Sequence, residues 1–164
     1  ATLLVDAFDN AASRRLLSDH ARAAGVRFEM DMPSEPVNVP GEADQIVQVF
    51  HNLVENAVKY LQPERPGRIV ISGRRRGPLC IYQVRDNGRG IAESDLKRVF
   101  ELFRRAGAQD KPGEGLGLAF VQANVRRLGG TVELSSVYGQ GSTFTFTFPA
   151  QLVLEDAAAQ KDAA

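Results

Sequence analysis

A chain of 164 residues with 43% apolar side chains can bury one real core but is too short for two ordinary domains. Twenty basic residues offset twenty acidic ones, which removes any global electrostatic argument for nucleic acid or an anionic membrane and leaves anion binding to local geometry. The single cysteine, Cys80, excludes an internal disulfide and fits a reducing compartment; no apolar run approaches the ~20 residues that span a bilayer, and no charged-then-apolar leader opens the chain.

In chain order, Leu3 to Ala24 reads as a helix stopped by Gly25, and Val26, Phe28, Met30 and Met32 then alternate with polar residues as in a half-buried strand. The segment PSEPVNVPG is a connector. From Glu42 to Leu61, apolar residues at Ile46, Phe50, Leu53, Val54, Ala57, Val58 and Leu61 recur at helical spacing, the clearest helix in the sequence. Arg68–Arg76, a Gly-Pro turn and Leu79–Asp86 predict a hairpin. Ser94–Phe103 predicts a short helix, Arg104–Gly113 a polar loop, and Leu116–Leu128 a helix ended by Gly129. Thr131–Val137 and Ser142–Phe148 flank YGQG as a second hairpin, with Phe144, Phe146 and Phe148 on one face of a core strand. Residues 150–164 offer no core face and read as a mobile tail, leaving 1–149 as the domain.

The chemistry begins on the long helix. Asn52, Asn56 and Lys59, spaced by four and three residues, share one helical face beside the apolar stripe. An amide oxygen can ligate Mg²⁺ without adding negative charge beside a triphosphate, and a lysine can meet a phosphate oxygen as a point charge; the same three residues also fit a solvated surface. Asp86 ends a predicted strand and opens the cluster DNGRG. A buried carboxylate there can accept a hydrogen bond from the exocyclic amine of adenine, and Gly88 and Gly90 allow close backbone approach; an Asp-Asn-Gly turn needs no ligand at all. The second cluster places Gly113, Gly115 and Gly117 at the entry of a helix whose first N–H groups can bind phosphate, or whose entry is merely flexible. The loop between the clusters carries Arg104, Arg105 and Lys111, which suit either a cover over phosphates or a solvated basic loop. The run Arg74–Arg76, ahead of the hairpin turn, reads as a solvated loop.

The segments NLVENAVKY, DNGRGI, FELFRR, GEGLGLAF and GQGSTFTFTFP, in this order and at these separations, resemble the signature boxes of bacterial sensor histidine kinases. The resemblance runs from about the first helix to Pro149, and the ordered set is far more specific than any one box. It implies the catalytic and ATP-binding domain of such a kinase, with the Bergerat-type fold shared by gyrase, the large ATP-dependent chaperones and MutL-type repair proteins. That fold is an α/β (α+β) two-layer sandwich, with a mixed, mainly antiparallel sheet carrying helices on one face and ATP between the helix layer and a lid.

By the same resemblance, Asn56 matches the Mg²⁺-binding asparagine, Asn52 and Lys59 its neighbours near the phosphates, and Tyr60 the aromatic position packed at the nucleotide. Asp86 matches the adenine-binding aspartate, Gly88 and Gly90 its glycines. Arg105 falls where the family has a phosphate-contacting arginine, with Arg104 standing in place of the preceding aromatic. Lys111 lies in the lid; Gly113, Gly115 and Gly117 match the lid-to-helix glycines, and Leu116 and Leu118 the leucines between and after them. Asn52, Lys59 and Arg105 are thereby the candidate catalytic residues, and ATP and Mg²⁺ the implied cofactors.

The family transfers the γ-phosphate to a histidine on a separate helical hairpin, where an acidic residue follows that histidine. His20 is followed by Ala21, and His51 lies inside the asparagine helix, so neither fits. The expectation is that a dimerising, phosphoaccepting domain lies upstream of Ala1, with a response regulator engaged indirectly and no nucleic-acid or membrane contact by this domain. A cytoplasmic location follows, whether or not the parent protein is membrane-anchored. Two other readings stand beside it. One is a hydrolysing ATPase of the same fold, which would place a glutamate where Asn52 stands; the other is a non-catalytic interaction module.

Overall fold

The structure, a computed structural model, describes residues 2–3, 11–32, 38–39, 43–101 and 117–149. Its elements in chain order are β1 (Thr2–Leu3), α1 (Ala11–Ala23), β2 (Arg27–Asp31), β3 (Asn38–Val39), α2 (Ala43–Lys59), β4 (Arg68–Arg76), β5 (Leu79–Asp86), α3 (Glu93–Leu96), α4 (Gly117–Arg127), β6 (Thr131–Val137) and β7 (Gly141–Pro149). Five strands form one sheet in the order β2-β4-β5-β7-β6. Only β2 runs parallel to its neighbour, β4; the other pairings are antiparallel.

Alternation along the strands decides which face is dry. Ile69 and Ile71 of β4, Cys80, Tyr82 and Val84 of β5, and Phe144, Phe146 and Phe148 of β7 are all buried, and the register sets Cys80 against Phe148, Tyr82 against Phe146 and Val84 against Phe144. The three long helices cover this face, contributing Leu17 and Ala21 from α1, Phe50, Leu53 and Val54 from α2, and Val121 and Val125 from α4. Phe50 is the keystone. Its ring stands edge-on to Tyr82, with centroids 6.2 Å apart, and tilted against Phe146 at 5.7 Å. The arrangement is the expected two-layer sandwich of a mainly antiparallel sheet with helices on one face.

Both predicted hairpins are present, β4–β5 with the expected boundaries and β6–β7 within a residue of them. Two elements differ. Leu3, read as the start of the first helix, lies instead in a two-residue strand paired with β3 inside the expected connector, and the helix described here begins at Ala11. A short apolar run cannot by itself distinguish helix from strand, and backbone pairing decides it. Of the helix expected over Ser94–Phe103, the described part to Glu101 is a single turn, Glu93–Leu96, followed by turns to Phe100, while 102–103 lie outside the described residues; Ala92 supplies no capping side chain. What holds that segment is tertiary: Val99 is buried and Phe100 stands edge-on to Phe144 at 6.4 Å. The polar loop 104–113 and the tail 150–164 lie outside the described residues.

Candidate nucleotide site

The apolar stripe of β5 and β7 ends in two polar residues at the same core-facing parity, Asp86 and Ser142, paired across the strands. Ser142 is buried and Asp86 half-buried. The Gly88 N–H donates to Asp86 Oδ1 at 2.8 Å. Burial pushes the Asp86 carboxyl above the usual carboxylate range, while the backbone N–H groups of Gly88 and Ser142 and the nearby Arg65 guanidinium oppose the rise. The result is a hydrogen-bond acceptor held at the rim of the core, where a donor that replaces lost water is worth more than on an open surface.

The loop after Asp86 is clamped to the end of α2. The Arg89 N–H donates to the Tyr60 carbonyl at 2.8 Å, and a Cβ at Gly88 would stand 2.5 Å from that same oxygen. Gly90 has φ 70°, and a Cβ there would collide with the Val137 carbonyl. These glycines are therefore required by contacts between the chain's own loops, a different reason from the close approach of a purine expected from sequence. The Arg89 guanidinium lies 4.6 Å from the Tyr60 ring centroid, with Lys59 Nζ 5.4 Å from the same ring. Asn87 is used structurally: its side chain accepts from the Arg68 N–H at 2.7 Å and donates to the Pro66 carbonyl at 2.9 Å. Ser136 Oγ, within 2.9 Å of both Ser142 Oγ and the Gly141 carbonyl, accepts from the Ile91 N–H at 2.8 Å.

This clamp joins the two halves of the expected site. Asn56 sits one turn before Tyr60, whose N–H reaches the Asn56 carbonyl at 3.1 Å, and Asn52 one turn earlier; Asn52, Asn56, Lys59 and Tyr60 are all half-buried. Gly117, exposed, opens α4, and Leu118 packs against the core; α4 itself lies against α2. Arg105, Lys111, Gly113, Gly115 and Leu116 lie outside the described residues. Sequence reasoning passed over Arg65, Arg89, Ser136 and Ser142. Ser142 had a signal, a polar residue in phase with the Phe144, Phe146 and Phe148 stripe; Arg65, in a Pro-flanked turn, had none. His20 and His51 meet between α1 and α2 with ring centroids 5.7 Å apart, and His51 Nδ1 is buried, 3.7 Å from Glu55 Oε2.

Among the described residues no three His, Cys, Asp or Glu side chains cluster as a metal cage. The half-buried Asn56 would offer Mg²⁺ a neutral amide oxygen, of the kind that ion takes together with waters and phosphates.

The sequence model of histidine kinase-, DNA gyrase B- and HSP90-like ATPases matches residues 41–152. The chain belongs to this family. Within it the similarity is to sensor histidine kinases. The sensor-like histidine kinase SenX3 of Mycobacterium tuberculosis is 40% identical over 130 residues, covering 77% of this chain and 31% of SenX3. The solved structure of the mycobacterial sensor histidine kinase MprB superposes with a TM-score of 0.74 at 27% identity, covering 85% of this chain and 93% of that one. ShkA, solved full-length in complex with AMPPNP, gives a TM-score of 0.71 at 27% identity over 84% of this chain and 29% of ShkA. The chain spans less than a third of the length of the curated relatives it matches. Fold and family together make it a catalytic domain of the histidine kinase type.

Proposed function

We propose that this domain binds ATP with Mg²⁺ and presents the γ-phosphate to a histidine on a separate helical dimerisation domain of its parent protein, from which a response regulator is served. The observation that carries the reading is the Asp86 carboxylate, held by backbone N–H groups at the end of the apolar stripe and tied through the Tyr60 carbonyl to the helix bearing Asn56. Asp86 accepts the adenine 6-amine, a donor that guanine lacks at the corresponding position. Tyr60 packs beside the base, Asn56 offers its amide oxygen to Mg²⁺, and Asn52 and Lys59 lie toward the phosphates. Gly117 and Leu118 open a helix whose first N–H groups point at anions. By sequence resemblance, Arg105 and Lys111, with Gly113, Gly115 and Leu116, are assigned to phosphate binding. Bound Mg²⁺ supplies neutralisation of phosphate charge. The rest is positioning for in-line attack by the partner's imidazole, which displaces ADP. A nucleotide complex of ShkA is in keeping with this. Such a domain works in the cytoplasm.

Asn52 cannot take a proton from water, so the domain alone is expected to hydrolyse Mg·ATP very slowly and to acquire no label from γ-labelled ATP. Supplying the helical hairpin of its own parent should yield an acid-labile, base-stable phosphate on that partner. Rapid turnover by the domain alone would favour a hydrolysing ATPase, and label on His20 or His51 would overturn the assignment of the acceptor. Asn56→Ala should shrink the Mg²⁺-dependent part of ATP affinity and leave adenosine binding unchanged; equal loss for both ligands would make Asn56 structural.

A further inference from the structure

Arg65 lies in the connection between α2 and β4, between Pro63 and Pro66, in a stretch whose composition reads as solvated. Its side chain is half-buried nonetheless. Nε donates to the Asn87 carbonyl at 2.8 Å, and Nη2 to the carbonyls of Gly88 at 2.9 Å and Gly139 at 2.7 Å. Three backbone oxygens from two separate loops thus converge on one guanidinium.

The geometry of the peptide unit gives this convergence a direction. In a trans peptide the C=O and the N–H point opposite ways. The unit joining Asn87 to Gly88 has its oxygen on Arg65 and its N–H on Asp86 Oδ1; the unit joining Gly88 to Arg89 has its oxygen on Arg65 and its N–H on the Tyr60 carbonyl. A cation on the oxygen polarises each peptide and strengthens the bond its N–H makes. The third bond holds the tip of the β6–β7 hairpin, where the Gly139 N–H reaches the Arg89 carbonyl at 2.6 Å.

We propose that Arg65 is a positioning residue for the adenine subsite, fixing through two peptide units the orientation of the Asp86 carboxylate and its attachment to the end of α2. The proposal rests on the reading of Asp86 as the adenine acceptor. Arg65 also lies among the groups that oppose the upward pull of burial on that carboxyl. Lysine cannot replace it fully, because an ammonium lacks the planar fork that reaches three fixed oxygens.

The test is calorimetric titration of Arg65→Met, Arg65→Lys and Asp86→Ala with adenosine, Mg·ATP and Mg·GTP, together with the Gly88 amide resonance in ¹⁵N spectra. Arg65→Met is expected to weaken adenosine and Mg·ATP by the same factor, on the order of tenfold. The Mg²⁺-dependent increment should stay intact, the preference for ATP over GTP should fall, and the Gly88 amide should shift. Arg65→Lys should fall between Arg65→Met and the unchanged protein, and it keeps the comparison available if Arg65→Met fails to fold. Unchanged adenosine affinity in a folded variant, whether or not the Gly88 amide moves, would leave Arg65 a clamp of the loops alone and overturn the proposal. Unchanged adenosine affinity in Asp86→Ala would instead overturn the adenine reading itself.

Discussion

The two ends of the β5–β7 pair obey one register and do opposite things. Over Cys80–Val84 and Phe144–Phe148 the core-facing positions carry apolar side chains that dry one another. One step further the same parity brings Asp86 and Ser142 together, where a carboxylate is kept partly buried by backbone donors. A strand pair thus delivers a charged acceptor to the edge of the core at a defined place, with the apolar end supplying the rigidity and the polar end sacrificing stability for an acceptor. Small changes should separate the two ends cleanly.

The largest effect is expected at the apolar end. Phe146, fully buried against Phe50, should cost about 3–5 kcal/mol of folding stability when changed to alanine. Denaturant unfolding measures that loss; an equal loss of nucleotide affinity in the protein that remains folded would blur the separation. At the polar end, Asp86→Ala should weaken ATP binding by about 2–3 kcal/mol, roughly a hundredfold.

Stability should move the other way. Because Asp86 titrates higher in the folded domain than in the unfolded chain, the folded state holds the extra proton between those two values. Stability therefore falls as pH rises through that interval, and at neutral pH the ionised group is a standing cost. Asp86→Asn should raise the thermal midpoint of the unliganded domain while lowering its affinity, and ATP affinity of the unchanged domain should decline as pH drops through the folded-state value. A thermal midpoint that falls in Asp86→Asn would contradict this account.

Gly90→Ala should cost about 1–3 kcal/mol, because it combines a positive φ with a collision at the Val137 carbonyl. Its effect on affinity should track the fit between the DNGRG loop and the hairpin tip, read by thermal melts alongside adenosine titration. Smallest of all should be Glu29→Gln. Glu29 joins Arg27 and Arg68 across the β2–β4 edge in solvent, at 2.7 and 3.0 Å. Exposed ion pairs contribute little, even where, as here, Arg68 stands next to Ile69, the cross-strand partner of Asp86. A marked fall in ATP affinity on removing that carboxylate would show the edge strand coupled to the site.

The sequence was legible wherever one physical signal dominated. Period-2 alternation with strong strand formers located both hairpins, and the helical recurrence from Ile46 to Leu61 located α2. Asp86 could be singled out because a carboxylate at the end of an apolar strand demands a reason. Leu3 was misplaced because its partner, Asn38, lies far along the chain and leaves no local trace. Arg65 was invisible for the same reason: its three acceptors are 22 to 74 residues away, and nothing beside it in the sequence records them. The glycines of DNGRG were found, but local composition could not show that they make room for the chain's own carbonyls at Tyr60 and Val137.

The pairing of β5 with β7 also bears on how the molecule assembles. The β4–β5 and β6–β7 hairpins close over short turns, whereas Asp86 meets Ser142 only after the whole of α3 and α4 has been gathered between them. Loop-closure entropy and contact order make that non-local step the slow one, with the hairpins forming ahead of it. Competence to bind nucleotide is then expected to appear with the final kinetic phase of refolding, when the two hairpins zip together. Stopped-flow refolding in the presence of a fluorescent ATP analogue would show it: ligand signal rising with an earlier phase would mean that the acceptor is organised before the sheet closes.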